Sequence, residues 1–306
     1  EGFKKYDKAI NIYKEVLKKD PYNVAVHIQL GWWLLLIGKL KEGFEECKWI
    51  EETETNKVAN CQIQTWTGIE SLIDKKVILY SNDEIGDTIF YLRYAKLIKD
   101  MGTKKISLMT RSTFMKHLFQ SCPYIDFICD LDDTISEVDY KIRLGNLPIL
   151  FKTDAHSIPS NTPYIYSDHA LIKFWKNKLN LDKNIKVGLC WQGGDEHDTY
   201  EDTRRKNYAD QLKRSIFLET ISELGKIDGV SFYSLQKDFC AKDLHFENGF
   251  VISDFGSDFD KSHGAFMDTA AIMKNLDLVI TIDTSIAHLA GALAVKTWLM
   301  LNFKRP

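Results

Sequence analysis

From Lys75 onward, short apolar runs alternate with amphipathic stretches of helical length, and the alternation is played out twice. The first series is KKVILYS, TIFYLRYAKLIKDMG, KKISLMT, STFMKHLFQSC and IDFICDLDD. The second is IKVGLCWQGG, IFLETISELGKIDG, VSFYSLQKD, GFVISDFG, FMDTAAIMKNLD, LVITIDTS and IAHLAGALA. Strands separated by helices pair in parallel, because the helix supplies the crossover that parallel neighbours need. Two series therefore predict two parallel sheets, each covered by its own helices. The stretch between them, FKTDAHSIPSNTPYIYSDHALIKFWKNKLN, reads as a loop and a helix that bridge two domains.

In open α/β sheets a ligand lies at the carboxyl ends of the strands. Those ends fall here at Ser81, Trp191, Gln236 and Asp283. Gly86-Asp87 places a carboxylate where a strand hands over to a helix. Such a group is a helix cap, or, if partly desolvated, a general base for a hydroxyl. The glycines after Trp191-Gln192 allow close backbone approach to a ligand. The polar loop that follows ends in Lys213-Arg214, cations ill placed for a helix start but well placed for a diphosphate. Arg204, Arg205 and Lys206 within it read as solvated surface. Gln236 offers an amide for a base or sugar edge, although alone it would pass for a surface residue. Asp283-Thr284-Ser285 stands between an apolar strand and a small-residue helix, with His288 in the first turn. That turn is either a cap or an anion seat built from free N–H groups and the helix dipole.

The first fifty residues are helical and carry a repeat. Ala9 and Gly43, and likewise Tyr13 and Cys47, are small or apolar positions 34 apart, and Asp20-Pro21 closes a unit. This resembles tetratricopeptide (TPR) material, about one and a half units of it, so further units are expected before residue 1; an unrelated helical hairpin is the alternative. Residues 51–65 read as a connector.

A net charge of −3 argues against a dedicated nucleic-acid binder. No apolar run approaches the roughly 18 residues a membrane span requires. The six cysteines include no CxxC pair, which favours reduced thiols in a cytoplasmic protein over a disulfide framework or a zinc site. DLDD (130–133) has the look of an acidic metal motif, but a polar turn after a strand gives the same pattern.

Taken together, WTG (66–68), LYSNDEIGDTIFYLRYAKLI (79–98), VGLCWQGG (187–194), KRSI (213–216), VSFYSLQKD (230–238) and the stretch 266–301 resemble the heptosyltransferase-like family 9 glycosyltransferases, in the branch with TPR repeats ahead of the transferase. The last stretch is the specific one. The resemblance implies a GT-B fold: TPR-like helices over 1–52, an acceptor-binding Rossmann-like domain over 53–165, and a nucleotide-sugar-binding one over 166–306. It implies an inverting, metal-independent transferase without cofactor, moving a sugar from a nucleotide-sugar to a hydroxyl of a saccharide or protein acceptor. Asp87 matches the family's base. Trp191, Gln192, Gly193, Lys213, Arg214, Gln236, Asp283, Thr284, Ser285 and His288 fall on the donor side, and Gly86 and Thr88 on the acceptor side. A protein partner for the TPR segment, a cytoplasmic location and a peripheral place at the inner membrane face follow from the same likeness. The chain also departs from the family. SNDEIGD replaces a GEQGLGD-like loop and sets Asp83 and Glu84 beside Asp87, the loop 193–212 is long, and a tryptophan-containing C-terminal segment is missing. A scaffold protein that keeps the fold without turnover is therefore the competing expectation. The sugar, the nucleotide, the acceptor and the oligomeric state are not written in the sequence.

Overall fold

The structure, a computed structural model, describes residues 2–53, 61–133, 137–179, 183–193, 215–237, 250–256 and 258–301. The chain begins with three helices, α1 (Gly2–Lys19), α2 (Val24–Leu36) and α3 (Leu40–Cys47). Asn23 starts α2 by accepting the Val26 N–H at 3.1 Å, and Gly38, at φ +80°, turns the chain between α2 and α3. Ile10, Leu30 and Leu34 are buried between the helices. A Cβ on Gly31 would lie 2.6 Å from Cys47 Sγ and 3.0 Å from the Gly43 carbonyl, so the small residues read from the sequence are the points where α2 and α3 touch.

Two five-stranded sheets follow. The first contains β1 (Gln64–Thr65), β2 (Lys76–Ser81), β3 (Lys105–Thr110), β4 (Phe127–Cys129) and β5 (Tyr140–Arg143), in the order β1-β5-β2-β3-β4. The second contains β6 (Ile185–Cys190), β7 (Val230–Ser234), β8 (Ile252–Ser253), β9 (Leu278–Ile282) and β10 (Thr297–Met300), in the order β10-β9-β6-β7-β8. Every neighbouring pair is parallel. In each sheet the chain leaves a central strand, builds toward one edge, then returns to the other side of that strand. The reversals fall between β2 and β5 and between β6 and β9, and each opens a crevice at the strand ends.

Several elements differ from the sequence reading. The helix expected over 88–101 is broken into α4 (Ile85–Tyr91), a tight turn over Leu92–Tyr94, and α5 (Ala95–Asp100). Residues 112–122, expected as one helix, hold a 3₁₀ turn over Thr113–Met115 and a short helix, α6 (Lys116–Phe119). Leu218–Lys226 is a 3₁₀ helix, and β8 has just two residues. β5 was not anticipated at all; α7 (Leu147–Leu150) lies just beyond it, with α3 packed against it.

The bridging helix is present as α8 (His169–Leu179), which packs on α9 (Met267–Met273). Trp175 Nε1 donates to Asp268 Oδ1 at 2.8 Å across that contact. Asp260 caps α9 by accepting the N–H groups of Asp268 and Thr269, while Asp268 accepts the Asp260 N–H. The last helix, α10 (Ser285–Ala292), packs on α4. Ile89 and Leu92 from the first half belong to one apolar core with Ile286, Leu289 and Ala290 from the second, so the halves are joined directly beneath their strand ends.

Candidate active site

The crevice of the first sheet is built from β2, β5 and the start of α4. Ser81 ends β2 fully buried; its hydroxyl meets Thr88 Oγ1 at 3.0 Å and Asp83 Oδ2 at 3.2 Å. Thr88 also donates to the Glu84 carbonyl at 3.2 Å. Expected on the acceptor side, Thr88 is therefore turned inward, its hydroxyl used to hold the strand end onto the helix. Arg143, at the end of β5 and only 4 % exposed, donates from Nη2 to Asp83 Oδ1 at 2.5 Å. Its guanidinium fills the space over Gly145, where a Cβ would come within 1.9 Å of Nη1.

Asp87 lies in the first turn of α4 and is exposed on its open side. Loss of hydration against the crevice walls, then the charges of Asp83, Glu84 and Asp283, opposed by Arg143, push its carboxyl up to about 6. A carboxylate tuned to that range is ionised near neutrality and still a competent proton acceptor.

In the second sheet, Asp283 leaves β9 exposed and Thr284 occupies the N-cap of α10 in an extended conformation. Thr284 makes no side-chain cap hydrogen bond, so the cap role weighed for this turn is not taken up. Gly86 connects the two crevices: a Cβ there would lie 2.9 Å from His288 Cδ2 and 3.7 Å from Ser285 Cα. His288 also meets Phe90 edge-on at 5.7 Å, and Arg93 sits 4.2 Å above the same Phe90 ring. Burial, against the pull of Asp283 and with Arg93 adding to it, holds His288 below the ordinary imidazole range. Asp87, Asp283, Ser285 and His288 thus belong to one junction.

Gln236 is buried. Its Oε1 accepts the N–H groups of Trp191 at 3.3 Å and Gln192 at 3.0 Å, with the Cys190 thiol at 3.5 Å. It is a clamp on the turn that follows β6, and Gly193 lies at the end of that turn. Trp191 is fully buried among Leu218, Phe232, Phe250 and Ile280, with its indole N–H unpartnered. Of Trp191, only the backbone belongs to the turn. Lys213 and Arg214, expected as the cations facing a diphosphate, lie outside the described residues, as does most of the loop 193–212.

One charged residue of the crevice escaped the sequence reading. Arg143 sits in a four-residue strand whose buried Lys141 and Arg143 hide the apolar pattern, and the Asp83–Arg143 pairing spans 60 residues. The acidic DLDD turn closes on itself: Asp130 accepts from the Asp132 N–H and from Thr113, and Asp133 accepts from the Asp130 N–H. Among the described residues no group of three or more His, Cys, Asp and Glu is placed to hold a metal, and no helix is long and apolar enough to cross a membrane.

Two parallel sheets, each with its switch point at the shared junction, give the chain a two-sheet α/β architecture of the GT-B type. It is similar in structure to the glycosyl transferase family 9 protein of Veillonella parvula DSM 2008, with a TM-score of 0.54 over 76 % of this chain and 82 % of that one, at 10 % identity. It is also similar to the ADP-heptose LPS heptosyltransferase II of E. coli, with a TM-score of 0.51 over 73 % of this chain and 84 % of that one, at 11 % identity. At these identities the likeness is one of fold. In sequence, no family model and no curated protein matches the chain.

Proposed function

We propose that this chain is an inverting, metal-independent glycosyltransferase that moves a sugar from a nucleotide-sugar donor to a hydroxyl of a saccharide or protein acceptor. The observation that carries the reading is the close approach of Gly86 to His288 and Ser285, which brings the helix of Asp87 against the uncapped start of α10. Asp87 takes the proton of the acceptor hydroxyl as its oxygen attacks the anomeric carbon. The bond from that carbon to the diphosphate breaks on the opposite face, which inverts the configuration. The N–H groups of the α10 turn receive the departing diphosphate, whose growing charge they stabilise without reorganising. Lys213 or Arg214 adds a cation there, and Asp283 orients the sugar or ribose. Gln236 keeps the turn after β6 in place for the donor.

The two domains are assigned to 53–165 and 166–306. The helices of 1–52 act as a TPR segment that recruits an acceptor protein or partner, a reading supported by the contact of Gly31 with Gly43. A cytoplasmic location is part of the same reading, in keeping with a sequence whose six cysteines include no CxxC pair. The test is a thermal-shift panel of ADP, GDP, UDP, CMP and their sugars, each with and without Mg²⁺. A true donor at a hundredfold excess over its dissociation constant stabilises by about 2.7 kcal/mol. One nucleotide class stabilising equally without metal supports the proposal; silence across the panel moves the reading to a scaffold protein.

A further inference from the structure

We propose that Arg143 is a positioning residue for Asp87: by neutralising Asp83 inside the crevice, it keeps a second carboxylate from acting as a free negative charge beside the base. The inference rests on Asp87 being the base, and it names a residue that reading does not include. Its ground is geometric. Arg143 is nine-tenths buried at the switch point, its guanidinium lies in a notch that only a glycine at 145 leaves open, and its Nη2 is 2.5 Å from Asp83. Asp83 is in turn fixed by Ser81, which accepts the Asp83 N–H and donates to its carboxylate, each at 3.2 Å. Ser81 touches Thr88, one residue beyond Asp87. The pair is thus tied through Ser81 to the helix that carries the base.

The charged and titratable groups facing Asp87 are Asp83 and Glu84 from its own loop, Tyr91 one turn along α4, Arg143 from β5 and Asp283 from β9, with His288 of α10 across the junction. Arg143 is the cation among those that act on Asp87. Removing it strips a favourable charge from the Asp87 carboxylate and frees that of Asp83, so Asp87 must become harder to ionise. Removing Asp83 alone must do the reverse, and removing both must come close to restoring the starting state.

The experiment is a carbon-13 titration of aspartate carboxyl groups in the 306-residue chain, the Asp87 signal being assigned by its loss in Asp87→Asn. Arg143→Met is expected to raise the Asp87 midpoint by about one pH unit, and Asp83→Asn to lower it. Asp83→Asn/Arg143→Met is expected to sit near the wild type, and it keeps the test open if Arg143→Met alone fails to fold. Where transfer is measurable, the acid limb of the pH–rate profile should move in step. A midpoint that stays in place in Asp83→Asn, and in Arg143→Met where that variant folds, overturns the proposal and leaves the pair a structural contact, as does a double variant displaced from wild type as far as a single one. The titration needs no substrate, so failure of the glycosyltransferase reading shows separately, as absent transfer alongside shifted midpoints.

Discussion

Gly86 lies so close to His288 that a single added carbon would stand 2.9 Å from the imidazole Cδ2. The contact couples the helix of the proposed base to the helix of the proposed donor seat, where α4 packs on α10.

Gly86→Ala must therefore push His288 aside or part α4 from α10. Overpacking of this kind costs roughly 1–3 kcal/mol. Denaturant unfolding should show that loss, and nucleotide affinity should fall with it, since Ser285 lies 3.7 Å from the same point. Gly86→Ala with unchanged stability and affinity would mean that the two crevices are not mechanically coupled.

The pH dependence follows from Asp87. Its carboxyl is pushed up to about 6 by the crevice and by neighbouring acids. Transfer should rise as pH climbs through about 6 and level off above it, because only the ionised form accepts a proton. The sign for stability is opposite. A carboxyl whose folded value lies above its unfolded one favours the folded state most below the unfolded value, and that contribution is lost as pH rises through about 6. Asp87→Asn should therefore be somewhat more heat-resistant than wild type at neutral pH, as a melting curve at pH 7.5 would reveal.

Much of the scaffold was legible in the sequence, and the reasons are local. The β-branched runs ending at Ser81 and Ile282 are strands because both faces of a parallel sheet are buried, so no alternation is needed to recognise them. Polar residues beyond those ends stood out against the apolar runs, which is why Asp87 and Asp283 were singled out as candidates. Arg143 was hidden for the converse reason: β5 is four residues long and half of it is charged, so its burial depends on partners that only the folded topology supplies. Gln236 resembled a surface residue because its three donors come from a strand end 44 to 46 positions earlier. Thr88 was assigned outward because one-residue spacing from Asp87 says nothing about which side of α4 faces the sheet.

Gln236→Ala should unfasten the turn after β6. Two backbone N–H groups would lose their acceptor, a cost of about 1–3 kcal/mol for each buried donor left unmade. We expect weaker nucleotide binding in calorimetry together with faster amide exchange at 191–192. Tight binding with unaltered exchange would remove Gln236 from the donor side.

Trp175→Phe tests the joint between the bridging helix and α9. It deletes the donor at 2.8 Å from Asp268 Oδ1 and leaves a buried carboxylate short of a partner. Unfolding free energy should drop by about 1–3 kcal/mol. Nucleotide affinity should be retained, because the joint stands apart from the strand ends.

The most direct measurement compares wild type and Asp87→Asn with the nucleotide-sugar selected by the binding panel, reading donor affinity by calorimetry and sugar transfer by product mass. The account predicts donor binding within a few-fold of wild type and transfer that is abolished. Transfer persisting at the wild-type rate in Asp87→Asn would contradict it.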